Sequence, residues 1–396
     1  MVLPGVNDPE RSRRSVGLIL YVIGILLGAT LFMAVFLLPP LFSNDPLSRY
    51  AAMASAAALA FPAVVVYMTV PRLLDRYDPE PAWALAMVFV WGALAACGVS
   101  GVVNTLVAKV LGDSASAVIS APIVEEFMKG LALAGMFYFW RREFDGVVDG
   151  IIYATFVALG FAAVENVVYY ARAAGQSGEA LTGLFILRGL VTPWAHPLFT
   201  SMTGIGFGVS RETTRPVLRW AAPLMGYAGA VFLHFVWNGS SVFSAAVNVP
   251  VVLILLPLWF LVVVAFMVIV VVLVQRRGGI IRRYLEDEVV LGTLTREEFE
   301  LTTSAFGLYR AGVGPYGKVR QQLIRAAARL ALSKWHSGRA MKGALRTVSF
   351  DFIGPLRDQI RTLRAQIPGA PQPVPGIPGM RLPGAPPPPI MPAPRR

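Results

Sequence analysis

The sequence predicts an all-α protein: a polytopic membrane helix bundle of about eight transmembrane helices, followed by a cytoplasmic helical extension and a proline-rich tail. Three observations predict it. Of the 396 residues, 56% are hydrophobic and 15% charged, whereas a typical soluble domain carries about a quarter charged residues. The apolar residues gather into eight long runs with few charges. At the far end, 12 of the 29 residues from Pro368 to Arg396 are proline, a composition suited to an extended or disordered chain rather than a packed one.

A membrane-spanning helix needs roughly 20 apolar residues. The runs Ser15–Phe42, Ala51–Val70, Ala82–Leu111, Ser116–Trp140, Val147–Ala171, Gly183–Val209, Ala221–Phe243 and Val249–Val274 each meet that length. The first is too long for a signal peptide and has no small-residue cleavage site, so it reads as an anchor that stays in the membrane. The predicted organisation is therefore a cytoplasmic N-terminus over 1–14, a membrane domain over 15–274, a basic helical region over 275–367 and the proline-rich tail over 368–396.

Loop cations give the orientation, because cytoplasmic loops are enriched in Lys and Arg. Arg11, Arg13 and Arg14 precede the first span. Arg72 and Arg76 follow the second, Arg141 and Arg142 the fourth, and Arg211, Arg215 and Arg219 the sixth. Arg276, Arg277, Arg282 and Arg283 follow the eighth, while the alternate loops hold only Arg49, Lys109 and Arg172 near the membrane. Eight spans with both termini in the cytoplasm satisfy this alternation, as expected for a multi-pass protein of a bacterial plasma membrane.

The net charge of +12 resembles a nucleic-acid signal only until it is divided along the chain. Residues 275–396 hold 20 basic and 8 acidic side chains, which is the whole excess. A basic segment beside a hydrophobic body points to anionic lipid as its partner and not to nucleic acid. Within it, Thr295 and Glu298 have the spacing of a capping box. The stretch Val319–Arg346 alternates Leu323, Leu330, Leu332 and Trp335 with Arg320, Arg325, Arg329, Lys334, Arg339 and Lys342. That pattern suits a helix lying on lipid and equally a small soluble helical domain. The single cysteine, Cys97, excludes an internal disulfide and a Cys-rich metal site.

Ionisable side chains inside a membrane helix are costly and mark candidate functional sites. The fourth span carries Glu125, Glu126 and Lys129, the fifth Glu165 and Asn166, the sixth Arg188 and His196, and the seventh His234 and Asn238. Lys129 lies one helical turn from both Glu125 and Glu126, so either pair can neutralise itself; one such pair would serve helix packing, and the second glutamate is surplus to it. Tyr169, one turn beyond Glu165, is a candidate hydrogen-bond donor to it. His196 sits between Pro193 and Pro197, where a helix kinks. With a rise of ~1.5 Å per residue, Glu125 and His234 lie roughly 14 Å from the outer end of their spans, Glu165 roughly 9 Å and His196 roughly 20 Å. Antiparallel helices thus put these groups in one slab.

Carboxylates with neutral imidazoles form Zn²⁺-type sites, and a glutamate beside them can act as general base to a water. Glu165, His196 and His234 are the candidate ligands of such a divalent metal. The same groups also support hydrolysis without metal, a glutamate activating water while His and Asn238 stabilise the oxyanion. Glu126 is the preferred base, since Lys129 neutralises only one of the two adjacent carboxylates well. Neither an HExxH nor a GxSxG string is present. An ion- or proton-coupled transporter uses similar midplane groups, but the internal repeat it predicts is confined to Ala121–Glu125 against Ala162–Glu165. A non-catalytic scaffold has no reason to keep three carboxylates and two histidines in hydrocarbon.

Glu125-Glu126-x-x-Lys129, Phe161-x-x-x-Glu165-Asn166, His196-Pro197 and His234-x-x-x-Asn238 on successive spans together resemble the PrsW family of bacterial intramembrane proteases. That family is similar in turn to the CAAX prenyl-protease and bacteriocin-immunity group. The resemblance covers roughly Ala51 to Val274. It implies an intramembrane endopeptidase with Glu125, Glu126 and the motif histidines His196 and His234 in its active site, and a membrane-anchored protein as substrate, the best-known being an anti-sigma factor. Glu165 and Asn238 join them as candidate catalytic residues, with Lys129, Asn166 and Arg188 as structural or charge partners. The related group has FxxxH where this chain has FxxxE, so one site residue differs in type.

Overall fold

A computed structural model describes residues 9–247, 251–342 and 348–372 of the chain. Most of the expected proline-rich tail, residues 373–396, lies outside the described residues, as do the first eight. Every regular element among the described residues is helical, as hydropathy predicts. They form two compact units, one comprising the described residues up to Leu73 together with Glu80–Val270, the other Leu74–Pro79 with the described residues from Val271 onward.

The first unit opens with α1 (Pro9–Phe32), extended by wider and tighter turns through Phe42, and α2 (Pro46–Leu74). Helices α3 (Ala82–Val90) and α4 (Cys97–Leu111) are joined without interruption by a π-helical stretch, Trp91–Ala96. A short α5 (Asp113–Ala115) and a second π-helical stretch, Ser116–Ser120, lead into α6 (Ala121–Phe139). Then come α7 (Val147–Ala174), α8 (Gly178–Phe185), α9 (Ala195–Glu212), α10 (Pro216–Val247) and α11 (Val251–Val290), which belongs to this unit as far as Val270.

Among the described residues, six helical runs are long and apolar enough to cross a membrane: Ser12–Phe42, Pro46–Leu74, Ala82–Leu111, Val147–Ala174, Pro216–Val247 and Ile254–Val290. The fourth and sixth expected spans fall short for physical reasons. The fourth is helical through 116–139 but has Glu125, Glu126 and Lys129 in its middle. The sixth breaks at Thr192–Trp194, before Ala195 restarts the helix as α9. Outward-facing apolar residues such as Leu26, Val66, Leu224 and Phe232 stay exposed on the unit; hydrocarbon, not water, is the solvent that such a surface suits.

Helix α7 is the centre of the unit, with 94% of its most apolar stretch buried. Tyr153, Ala154, Val157 and Ala163 have no appreciable exposure; the first three pack among Leu85, Val88, Leu133 and Met136, and Ala163 packs with Val64 and Leu159. Its approach to α9 depends on two glycines. A Cβ on Gly150 would lie 2.1 Å from the Gly204 carbonyl oxygen, and a Cβ on Gly204 would lie 2.1 Å from that of Gly150. Small residues of this kind let membrane helices meet backbone to backbone.

The second unit contains α12 (Arg296–Thr303), α13 (Gly307–Ala311), α14 (Gly317–Lys342) and α15 (Ile353–Ala365). The capping box expected at Thr295 and Glu298 is formed, each side chain accepting from the other's backbone N–H at 3.2 and 2.8 Å. Leu323, Leu330 and Leu332 are buried with Ile281, Leu285, Phe299 and Ile360 in a core of this unit. Of the two readings open for Val319–Arg346, the apolar face is thus spent on a helical domain.

Candidate active site

Four helices of the first unit, α6, α7, α9 and α10, each contribute to one buried polar cluster. On α6, successive positions turn about 100° apart, and Glu125 and Glu126 have different fates. Glu126 has no exposure. Its Oε1 accepts from Lys129 Nζ at 2.8 Å and lies 3.1 Å from His234 Nδ1, and its Oε2 accepts from the Thr200 hydroxyl at 2.8 Å. Glu125 accepts from Asn104 Nδ2 at 3.3 Å through Oε1, whereas its buried Oε2 has no hydrogen-bond partner.

Lys129 is the hub. Besides Glu126, its ammonium lies 3.7 Å from Glu125 Oε2, 3.2 Å from His196 Nδ1 and 3.9 Å from the centre of the Phe161 ring. A buried ammonium needs partners on all sides, and these supply them.

Glu165 on α7 meets Arg188, which lies in the π-helical stretch Ile186–Val191, and its Oε2 is 2.9 Å from His196 Nε2. Arg188 also donates to Asn166 Oδ1 at 2.8 Å and sits 4.1 Å from the centre of the Tyr169 ring. Tyr169 therefore offers its ring face to this arginine. His196 stands at the start of α9, directly after the break, so the proline-flanked segment sets where its ring points. Asn238, expected beside His234, instead donates to the Ala117 carbonyl at 2.8 Å.

The partners fix both histidine tautomers. A carboxylate only accepts and an ammonium only donates. His234 Nδ1, facing Glu126, carries its proton, and the Nε2 lone pair of a neutral ring then points to Glu125 Oε2, 3.9 Å away. His196 Nε2, facing Glu165, carries its proton, and Nδ1 presents a lone pair toward Lys129. Both rings thus turn one lone pair into the cluster while a carboxylate holds the other nitrogen, as metal-ligating histidines commonly do.

One carboxylate and two imidazoles suit a divalent ion such as Zn²⁺. Ligand atoms of Glu125, His196 and His234 lie within 4.8 Å of one another, and all three residues are buried. The donor set fits a metal. It differs from the set expected from sequence, in which Glu165 stood where Glu125 now stands; Glu165 is engaged by Arg188 and by the proton-bearing side of His196.

All nine site residues named from sequence lie in or beside this cluster. Thr200 and Asn104 were missed. Thr200 lies at i+4 from His196, so helical spacing could have found it; Asn104, a lone amide in an apolar run, gave no comparable signal. Glu125, Glu165 and Asn238 also line a cavity of about 630 Å³.

Comparison with known proteins agrees with this chemistry. Residues 80–274 match the family described as PrsW family intramembrane metalloprotease. The chain is 29% identical over 192 residues to a protease PrsW of Geobacillus kaustophilus, an alignment covering 48% of this chain and 80% of the relative. It is 31% identical over 151 residues to that of Clostridioides difficile, covering 37% and 62%, and 33% identical over 92 residues to that of Oceanobacillus iheyensis, covering 23% and 42%. No solved structure matches the chain. The relatives named are all proteases, and none favours the transport alternative. The buried glutamates and histidines of α6, α7, α9 and α10 all fall inside the matched region, and over residues 80–274 this chain belongs to the PrsW family of intramembrane proteases.

Proposed function

We propose that this chain is a multi-pass endopeptidase that cleaves a membrane-anchored protein by water attack beside Glu125, in a bacterial plasma membrane with both of its own termini cytoplasmic. The observation that carries the assignment of Glu125 is its buried Oε2 at the wall of the cavity, which accepts no hydrogen bond and meets Lys129 only at 3.7 Å, set against the fully engaged and sealed Glu126. A general base must reach the proton it takes. Glu126 is separated from any entering water by Lys129, His234 and Thr200, which supports Glu125 over the base preferred from sequence.

In this reading Glu125 Oε2 takes a proton from water and returns one to the leaving amine. Lys129 offsets the charge of the adjacent carboxylates, and Glu126 and Glu165 hold the two imidazoles in their tautomers. Glu125, His196 and His234 are the residues that would hold the divalent ion of the family description, and such an ion, when bound, supplies Lewis acidity to water and carbonyl oxygen. Bound or not, such an ion leaves the demand on Glu125, as its ligand in the one case and as the base in the other.

The substrate we assign is a single-span membrane protein, and the family resemblance read from the sequence singles out an anti-sigma factor. The exposed Arg276, Arg282 and Arg283, rather than the buried face of α14, support contact with anionic lipid.

The test is cleavage of a single-span substrate by the full chain in liposomes. Replacing Glu125 with Gln should lower the rate by about 10² or more, and a Glu125→Gln variant as fast as wild type would sink the mechanism.

A further inference from the structure

The second unit carries an aromatic patch that its own core does not use. Phe306 and Tyr309 are 73% and 76% exposed, and Val313 and Tyr316, close by in sequence, are exposed too. Phe306, Tyr309, Arg310 and Val313 are spaced three and four residues apart through α13 and its end, the interval that puts side chains on one helical face. Tyr316 stands in the left-handed region at φ 63°, which a bulky residue rarely adopts. The turn closes through Gly317, where a Cβ would lie 2.1 Å from the Gly312 carbonyl oxygen. Residues 301–320 hold three cations, Arg310, Lys318 and Arg320, and no acid.

The path of the chain puts this patch at the end of the unit from which α11 arrives. From Ile254, roughly 20 apolar residues suffice to cross a bilayer, so α11 leaves the hydrocarbon close to Arg276 and Arg277. Ile281, a few residues on, already belongs to the core of the second unit. At the far end of α11, the N–H groups of Thr293 and Leu294 donate to the Glu288 carbonyl at 2.8 and 3.1 Å. By Phe299 the chain has returned to Arg282, whose guanidinium lies 5.9 Å from the ring centre. Helix α12 thus runs back along α11 towards the bilayer, and α13 follows it. Helix α14 agrees. Lys334 pairs with Glu288 at 2.8 Å, whereas Arg329 meets Asp78, the partner of Arg277, at 3.0 Å; its first turn, with Lys318, therefore lies on the bilayer side. We propose that Phe306, Tyr309, Val313 and Tyr316 sink into the interface of an anionic bilayer, with Arg310 and Lys318 against its phosphates, and hold the second unit to the membrane surface. Aromatic rings collect at that depth, and cations beside an anionic leaflet add attraction that acids would cancel. This contact goes beyond the one assigned to Arg276, Arg282 and Arg283 of α11. It needs only that α11 crosses the bilayer, and not the peptidase chemistry.

Depth measured in the full-length chain, reconstituted into vesicles, tests this. Val313→Cys, in a Cys97→Ser background, takes an environment-sensitive fluorophore, and Gln359→Cys takes it at an exposed position of α15. Helix α15 packs at the other end of the unit, where Arg357 holds Glu288 at 2.6 Å. In vesicles containing phosphatidylglycerol, lipids spin-labelled near the headgroup should quench the probe at 313 and spare the probe at 359. In phosphatidylcholine alone the quenching should fall. Arg310→Ala and Lys318→Ala should each lower the ratio of buried to exposed probe by about fivefold, the worth of one cation at an anionic surface. Amide exchange over 304–317 of the unaltered chain, slower in anionic than in neutral vesicles, gives the same reading if a cysteine variant does not fold. A probe at 313 left unquenched in anionic vesicles, or amide exchange alike in both lipids, would overturn the contact; the patch would then serve a protein partner, or lipid contact would be confined to the arginines of α11. Equal quenching at 313 and 359 would remove the patch as its site, and quenching as strong in phosphatidylcholine would remove the anionic lipid.

Discussion

At the scale of single residues, Glu125 and Glu126 are adjacent in sequence and opposite in circumstance. Glu126 neutralises Lys129, orients His234 and accepts from Thr200, so Glu126→Gln leaves a buried ammonium short of its closest partner. Breaking one side of a buried pair costs about 3–5 kcal/mol, and the melting temperature of that variant should fall. Glu125→Gln removes only the longer, 3.7 Å contact to Lys129; it should melt close to wild type and lose cleavage. Thermal unfolding of the two variants, read beside their cleavage rates, separates the roles, and equal melting losses would count against them. His234→Ala removes one of three candidate ligands, so a metal bound in stoichiometric amount to wild type should be lost with the activity; loss of activity without any change in metal content would assign the imidazole a metal-free role. The site was largely legible in the sequence because charge is so rare in these spans that each polar residue stands out. Which carboxylate faces the cavity was not legible: a step of about 100° around the helix separates the two, and only packing against α9 and α10 decides which is sealed.

At the scale of elements, hydropathy located the membrane helices because their apolar length is fixed by the bilayer. It could not show that the most apolar stretch of α7 is almost wholly enclosed, since a buried helix and a lipid-facing one are equally apolar. The distinguishing feature is the pair Gly150 and Gly204, through which α7 and α9 touch backbones. Those two helices carry Glu165 and His196, so the crossing also sets the 2.9 Å contact between them. Gly204→Leu forces the backbones apart by several ångströms' worth of side chain and should abolish the folded state or its activity; Gly178→Leu, where a Cβ meets nothing within 4 Å, should do neither. Monodispersity in detergent and cleavage rate check both. The amphipathic pattern of α14 was equally visible in the sequence, but periodicity reports only that a face is buried, and the burying surface came from Ile281, Leu285 and Phe299, which are distant along the chain.

At the scale of the molecule, the two units respond to different variables. In the second, burial opposes the charge of Glu288, and Arg357 and Lys334, at 2.6 and 2.8 Å, overcome it and hold the carboxyl below its usual range. A depressed carboxylate contributes stability that is present above the unfolded value, about 4.3, and is lost as pH falls through the folded one. Hydrogen exchange in α14 and α15 of the full chain should therefore quicken on acidification below that value, and Glu288→Gln should flatten this response. The first unit is governed by the bilayer, and the loop cations predict its orientation. Six helical runs satisfy length and apolarity; the two that do not are those that bring Glu125, Glu126, Lys129, Arg188 and His196 into the cluster. The charges that disqualify the fourth are neutralised within the bundle, and its continuous helix over 116–139 is roughly 36 Å long at ~1.5 Å per residue, sufficient for the hydrocarbon core. Both should therefore cross, giving eight passages. Reporter fusions at Gly112 and Gly178 should then read as outside and fusions at Arg142 and Arg215 as inside. An outside reading at Arg142 would mean that the glutamate-bearing helix does not cross.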